Sequence, residues 1–317
     1  MENKNFFERM KMDIPELSEY YMLKRKERFD AGVPLRGIKL RKLIHFIPLG
    51  LIKIDKHLEK EKITVIHDER TKYSFFDKNK KPLLFTCSHF GGNDIHRVFE
   101  TLKSQAYLLF GDPVGTYKDI VGLILVFNGA INLETRNKED RRIAKERSIE
   151  LLKKGGNLLI FPEGAWNLSP NLLVMDLYKG SVIMARESGA DIVPIAIEEY
   201  DKNYVVSIGK SIHMEDVKDL SLDELNLYLR DCIATEKWRI FESRGIYKRK
   251  DIEVMGKREF EEYIVNKCGY GYTVEDVYET KFVDKNKVDQ NDVFKHLNDI
   301  HINKNNAFLL SKRNHKN

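Results

Sequence analysis

The sequence predicts an α/β fold: a mostly parallel central sheet covered by helices, preceded by a basic, apolar helical segment and followed by C-terminal helices. Three observations carry that expectation. From about residue 62 short β-rich runs alternate with helical patterns, the order that builds a helix-covered parallel sheet. Several of these runs, such as Leu83–Cys87 and Leu158–Phe161, are apolar and bounded by breakers, as buried strands are. The chain of 317 residues, 42% hydrophobic and 32% charged, is also long enough to bury a full core.

Taken in order, residues 36–54 set Arg36, Lys39, Arg41 and Lys42 beside Leu43, Ile44, Phe46, Ile47, Leu49, Leu51 and Ile52. This apolar stretch falls well short of the roughly 20 residues a spanning helix needs. Pro48 and Gly50 are expected to break or bend it. It suits either a lipid interface or a helix packed on the core. Ile63–Ile66 and Tyr73–Phe76 read as a hairpin, and Leu83–Cys87 as a buried strand leading to a helix over Asp94–Lys103. Strands are expected at Ala106–Phe110, Ala130–Leu133, Leu158–Phe161, Ile192–Ile197 and Tyr204–Ile208. Ile120–Phe127 reads as a buried helix end or strand. Helices are expected over Lys138–Lys154, Lys179–Ser188 and residues 223–244, the last long and amphipathic. Beyond about 250 the chain is polar, with short helical patterns and a Lys/Asn-rich tail expected to fray. This divides the chain into an N-terminal segment (1–60), a core (61–215) and a C-terminal helical region (216–317).

Charge narrows the partners. Residues 1–60 carry 14 Lys/Arg against 9 Asp/Glu, which is the whole of the net +5. The excess is small, local and interleaved with apolar residues, which fits an anionic membrane surface better than nucleic acid. Cys87, Cys232 and Cys268 are odd in number and far apart, so neither a disulfide framework nor a zinc ribbon is expected, and a reducing compartment fits. The first thirty residues lack the apolar core of a signal peptide. A cytoplasmic protein held peripherally at the inner face of the membrane follows as the expectation.

The chemistry-bearing residues sit at strand ends, where open α/β sheets bind ligands. Ser88-His89-Phe90-Gly91-Gly92-Asn93-Asp94 follows the first buried strand. With His89 in the loop and Asp94 in the first helical turn, the carboxylate can fold back onto the imidazole. That pairing fixes the tautomer and makes the other ring nitrogen a better base. Backbone N–H groups at the same helix start are candidates for stabilising an oxyanion. The plainer alternative is an N-cap Asp94 and a loop His89. His96 adds an H-x4-D-x-H pattern with three potential metal ligands, but no second cluster follows at ligand spacing. Phe161-Pro162-Glu163-Gly164 places an acid in a rigid turn after a strand, suited to a polar ligand or to an ordinary turn. Gly129 to Arg136 is a strand ending in an arginine, the natural partner of a phosphate, or else a solvated surface cation. Val193-Pro194-Ile195 puts a proline inside an apolar strand, which a central strand tolerates poorly. No G-x-S-x-G elbow is present, which removes the commonest serine hydrolase.

The order of these blocks over residues 80–210 resembles the glycerolipid acyltransferase family, which includes the lysophosphatidic acid and glycerol-3-phosphate acyltransferases. The resemblance implies that His89 is the general base, Asp94 its orienting partner, Arg136 a contact to the acceptor phosphate, and Glu163 and Gly164 part of the acceptor site. It implies acyl transfer from acyl-CoA or acyl carrier protein to a lipid hydroxyl, with the thioester as co-substrate and with no metal or other cofactor. Two features depart from it. The third block continues Ala165-Trp166 instead of Thr-Arg, removing a second phosphate-binding cation. The His-Phe-Gly start followed by Asn resembles the related lipid A and mycolate-type acyltransferases, so a glycolipid or polysaccharide hydroxyl is the alternative acceptor, on which Trp166 could stack. A degenerate, non-catalytic lipid-binding module is the third reading, and a hydrolase using the same base a fourth.

Overall fold

The computed structural model describes residues 4–73, 80–91, 93–111, 120–169, 172–245, 256–267, 272–280 and 301–307. Seven strands form one sheet: β1 (Lys62–Asp68), β2 (Leu83–Cys87), β3 (Tyr107–Phe110), β4 (Ala130–Asn132), β5 (Leu158–Ile160), β6 (Asp191–Tyr200) and β7 (Asn203–Ile208). Their spatial order is β1-β7-β6-β2-β5-β3-β4. Strands β4, β3, β5, β2 and β6 run parallel, whereas β7 folds back antiparallel onto β6 and β1 lies parallel to β7. Lys62 lies opposite Asn203, so β1 pairs along one edge with a strand about 140 residues away; of the hairpin partner expected at Tyr73–Phe76, residues 74–76 lie outside the described residues.

Helices cover both faces. They are α1 (Phe6–Lys11), α2 (Ile14–Asp30), α3 (Ile38–Ile44), α4 (Phe46–Leu58), α5 (Asp94–Leu102), α6 (Ile120–Gly129), α7 (Lys138–Lys153), α8 (Gly180–Ser188), α9 (Leu222–Arg244), α10 (Lys257–Lys267) and α11 (Val274–Thr280). Alternation along the strands sorts the core into two layers. Leu84, Leu158, Ile160 and Ile192 pack with Leu151 and Leu152 of α7, Val182 and Met184 of α8, and Leu229, Ile233 and Trp238 of α9. Leu83, Phe85, Leu159, Val193 and Ile195 pack on the other side with Val98, Phe99 and Leu102 of α5, Ile52 of α4 and Leu125 of α6. Each fully buried side chain of this kind stabilises the fold by about 1.5–3 kcal/mol relative to exposure, which is why β2, buried along its whole length, holds the centre.

Two sequence expectations about proline fail for identifiable reasons. Pro194 does sit in a strand with neighbours on both sides. Its carbonyl accepts from Gly209 N–H at 2.9 Å, while its missing N–H falls where the regular register with β7 ends: Ile195 faces Ile208, and the next bridge joins Ile192 to Ile212. Pro48 does not break the N-terminal segment either. It lies in the first turn of α4, where no intrahelical bond is demanded of its nitrogen. The bend comes instead at His45, between α3 and α4.

Helix α4 is seated by a buried cation. Arg97 on α5 has no exposure and donates to Asp55 Oδ2 at 2.7 Å, Glu61 Oε2 at 2.5 Å, Glu100 Oε1 at 3.4 Å and the Ile52 carbonyl at 3.2 Å. A buried charge persists when paired and fully hydrogen-bonded. Pro48 and Ile52 turn inward. Leu40, Leu43, Phe46, Ile47, Leu51, Ile54 and Leu58 stay exposed, Leu43 at 74% and Leu58 at 72%. Ile120–Phe127, expected to be buried, is helical in α6, with Leu125 inside and Phe127 exposed. No helix among the described residues is long and apolar enough to cross a membrane.

Candidate active site

The parallel strands end on one edge of the sheet, and the loops after β2, β5 and β4 deliver His89, Glu163 and Arg136 there. Ser88 continues β2, its N–H donating to the Ile195 carbonyl at 3.1 Å. His89 follows as the first residue free of the ladder. Asn93 then caps α5, and Asp94 is the first helical residue.

Asp94 folds back as its placement predicts. Its Oδ2 lies 2.8 Å from His89 Nδ1 and also accepts the backbone N–H groups of Phe90 and Gly91, each at 2.9 Å. The carboxylate is wholly buried at the start of α5, where the helix dipole favours an anion. With an anionic acceptor on Nδ1, that nitrogen carries the proton and Nε2 presents its lone pair. Nε2 has no hydrogen-bond partner among the described residues, and the ring retains slight exposure. The imidazole packs against Phe161 at 4.4 Å between ring centroids and meets Trp166 nearly edge-on at 6.2 Å.

Four N–H groups around the start of α5 already have acceptors: Phe90 and Gly91 give theirs to Asp94, Asn93 donates to Tyr204 Oη and Asp94 donates to the Gly91 carbonyl. Gly92 lies outside the described residues. His96 does not join the pair: two residues along a helix point in different directions. It is buried, with neither ring nitrogen bonded, and burial followed by the neighbouring Arg97 pushes its pKa down to about 4. Among the described residues no three His, Cys, Asp or Glu side chains gather as a metal site would require. Cys87, two residues before His89, is fully buried, and burial pushes its thiol well above the ordinary range, so it is no nucleophile.

Glu163 lies in the turn after β5, buried without exposure. Its Oε1 accepts the backbone N–H of His89 at 2.9 Å and its Oε2 that of Met175 at 2.8 Å. Burial raises its pKa, opposed by these two N–H groups and then by the charge of Lys237. Lys237, on α9, is itself buried, pairs with Glu198 at 2.7 Å and lies 5.8 Å over the ring of Phe90. Gly164 takes φ +71° to close the turn, and a Cβ there would come within 2.3 Å of the Tyr178 ring. The same loop returns to His89 through Asn167, whose N–H donates to the His89 carbonyl at 3.0 Å.

Arg136 stands apart. It follows β4, three strands from β2 along the sheet, hence about 14 Å away at the usual strand spacing. Its side chain is 69% exposed and pairs with Glu279 of α11 at 2.5 Å. The structure thus brings His89, Asp94, Glu163 and Gly164 together and leaves Arg136 at the rim of the same edge. Several neighbours carry no signal in the sequence. Asn167 and Met175 act through backbone N–H groups, which any residue but proline possesses. Tyr272 stacks edge-on against Trp166 at 5.7 Å from far along the chain. Phe161 was visible only as the end of a strand. Together with Phe90, Ala165, Leu168, Phe260 and Ile264, Trp166 and Tyr272 form a small apolar cluster by which α10 and α11 roof the loop.

Fold and site define a class: an α/β protein that carries an imidazole–carboxylate base at the carboxyl edge of its sheet. Comparison with known proteins narrows the class. Residues 60–198 match the Acyltransferase family model. A 1-acyl-sn-glycerol-3-phosphate acyltransferase of Borreliella burgdorferi is 28% identical over 126 residues, covering 36% of this chain and 50% of that protein. The chain thus spans about half the length of this curated relative. The crystal structure of the 1-acyl-sn-glycerophosphate (LPA) acyltransferase PlsC of Thermotoga maritima superposes with a TM-score of 0.49 at 16% identity, covering 72% of this chain and 90% of that one.

Proposed function

We propose that the protein is an O-acyltransferase moving a fatty acyl group from an acyl thioester, on CoA or acyl carrier protein, to a hydroxyl of a lysophospholipid or glycerol phosphate-like acceptor. The observation that carries this reading is the 2.8 Å contact between His89 Nδ1 and Asp94 Oδ2, which leaves Nε2 as the base. In the reaction Nε2 takes the proton of the acceptor hydroxyl while its oxygen attacks the thioester carbonyl. The tetrahedral adduct collapses, the C–S bond breaks, and the thiolate receives the proton from the imidazolium. Asp94 stabilises that cation, and His89 returns to its starting form. The match of residues 60–198 to the Acyltransferase family model and the likeness to a curated 1-acyl-sn-glycerol-3-phosphate acyltransferase support this chemistry.

Arg136 is the proposed contact for an acceptor phosphate. It is exposed at the right edge of the sheet, and an exposed pair such as that with Glu279 is readily exchanged for a doubly charged anion. The acceptor and the acyl chain would reach the protein at a membrane surface of anionic lipid, on its cytoplasmic face. Support comes from α3 and α4: the exposed apolar residues from Leu40 to Leu58 recur at three- and four-residue steps along one face. Arg36, Lys39 and Lys53 lie exposed among them, and no acidic residue occurs between 36 and 54. A glycolipid hydroxyl is the second acceptor reading, favoured by Trp166 beside His89 and by the absence of a cation after Gly164.

The test is to supply labelled acyl-CoA, or the acyl carrier protein thioester, with anionic vesicles containing lysophosphatidic acid. One diacyl product per free thiol is expected. Release of free fatty acid without acylated acceptor contradicts the reading and makes the protein a thioesterase.

A further inference from the structure

The matched block after β5 poses a question that its geometry answers. An acceptor-binding carboxylate needs an oxygen turned toward the ligand. Glu163 has none to offer: it is buried without exposure, and each of its oxygens is occupied by a backbone N–H, of His89 and of Met175. The His89 backbone is held on its other side as well, its carbonyl accepting from Asn167 N–H at 3.0 Å, four residues beyond Glu163. Asp94 fixes the ring of His89, and the loop after β5 fixes its main chain.

We propose that Glu163 is a positioning residue: its carboxylate clamps the main chain of His89 so that Nε2 meets the reacting hydroxyl, and it does not touch the acceptor. This rests on the acyl-transfer reading above and reassigns one residue within it. An ionised carboxylate is what the site requires, since two N–H donors converge on it. Lys237 of α9 supplies a buried positive charge nearby, whose field favours that form. Lys237 lies outside the segment that matches the family model, so α9 brings its charge to the site from beyond that segment. Glutamine is nearly the same size but has only one acceptor oxygen. In Glu163→Gln one of the two N–H groups would face an NH2, and the clamp opens at one end.

Two readouts on the full chain test this. The first is independent of catalysis: backbone amide hydrogen exchange of the wild type and of Glu163→Gln. The wild-type His89 and Met175 amides should be protected. The substitution should lower protection at one or both, while the Phe90 and Gly91 amides, held by Asp94, keep theirs. Free exchange at His89 in the wild type, or unchanged exchange in the variant, overturns the proposal even if no acyl transfer is ever detected. The second is kinetic, with acyl-CoA and lysophosphatidic acid in mixed micelles. Glu163→Gln should lower kcat by about 100-fold, as a displaced catalytic group does, with the acceptor KM within about twofold of wild type. Glu163→Asp, which keeps the charge and reaches one N–H, should recover part of kcat and stands in if the glutamine variant does not fold. A raised acceptor KM with kcat retained at saturation assigns Glu163 to acceptor binding and overturns the proposal.

Discussion

At the end of β2 the donors that reach the two carboxylates are all accounted for: three converge on Asp94 Oδ2 and one on each oxygen of Glu163. On α3 and α4 the opposite holds, with seven large apolar side chains facing outward. The two regions meet through Arg97, which binds Asp55 of α4 and Glu61, while Glu61 also accepts from Asn93 at 2.9 Å, next to Asp94. The difference teaches where each kind of group gains stability. Buried charges gain stability from the donors the fold turns toward them, although Asp94 Oδ1 is left without one among the described residues. Exposed apolar groups cost the isolated fold little and become useful only when a lipid surface covers them.

Substitutions on either side should break that contrast or sharpen it. The largest effect belongs to Asp94→Asn. The neutral amide removes the negative charge that makes Nε2 a stronger base and stabilises the imidazolium, so acyl transfer should fall by about 10³-fold or more in a single-turnover assay. Acid comes next, through His96. Its pKa in the fold is about 4, against about 6.5 in the unfolded chain. A base whose pKa is lowered by folding stabilises fully above the unfolded value, and that stability is lost as pH falls from 6.5 toward 4. The loss should be on the order of 3 kcal/mol at pH 4, seen as a denaturant midpoint that shifts less in His96→Leu. Gly164→Ala forces a side chain into a left-handed turn against Tyr178, and should cost about 1–2 kcal/mol by the same measurement. Smallest for the fold is Leu43→Gln with Leu58→Gln, within about 0.5 kcal/mol of wild type in solution. Binding of that double variant to anionic vesicles should nevertheless drop in a sedimentation assay, and unchanged binding removes the interfacial reading of α4.

The same contrast explains what the sequence made legible. Element boundaries at β2, α5, α7, α8 and α9 followed from apolar runs and breakers, because these elements are decided locally and by burial. His89 and Asp94 were legible because both lie within one loop and its helix start. The pairing of β1 with β7 was not, since a strand's pattern records its buried face and not its partner. The acceptor-like reading of Glu163 was natural from side-chain type alone, yet its partners are main-chain N–H groups that leave no trace in residue identity. Arg136 was legible at a strand end, but Glu279, its partner 143 residues later, was not. Pro48 misled because a helix start tolerates what a helix interior does not.

The central claim is that His89 is the base, and its replacement measures this most directly. His89→Ala removes a ring from a loop whose main chain stays held by Glu163 and Asn167, so the fold should persist by circular dichroism. The initial rate of acyl transfer from labelled acyl-CoA to lysophosphatidic acid in anionic vesicles should then fall by at least about 10³-fold. A folded His89→Ala protein that transfers acyl groups at the wild-type rate contradicts the account.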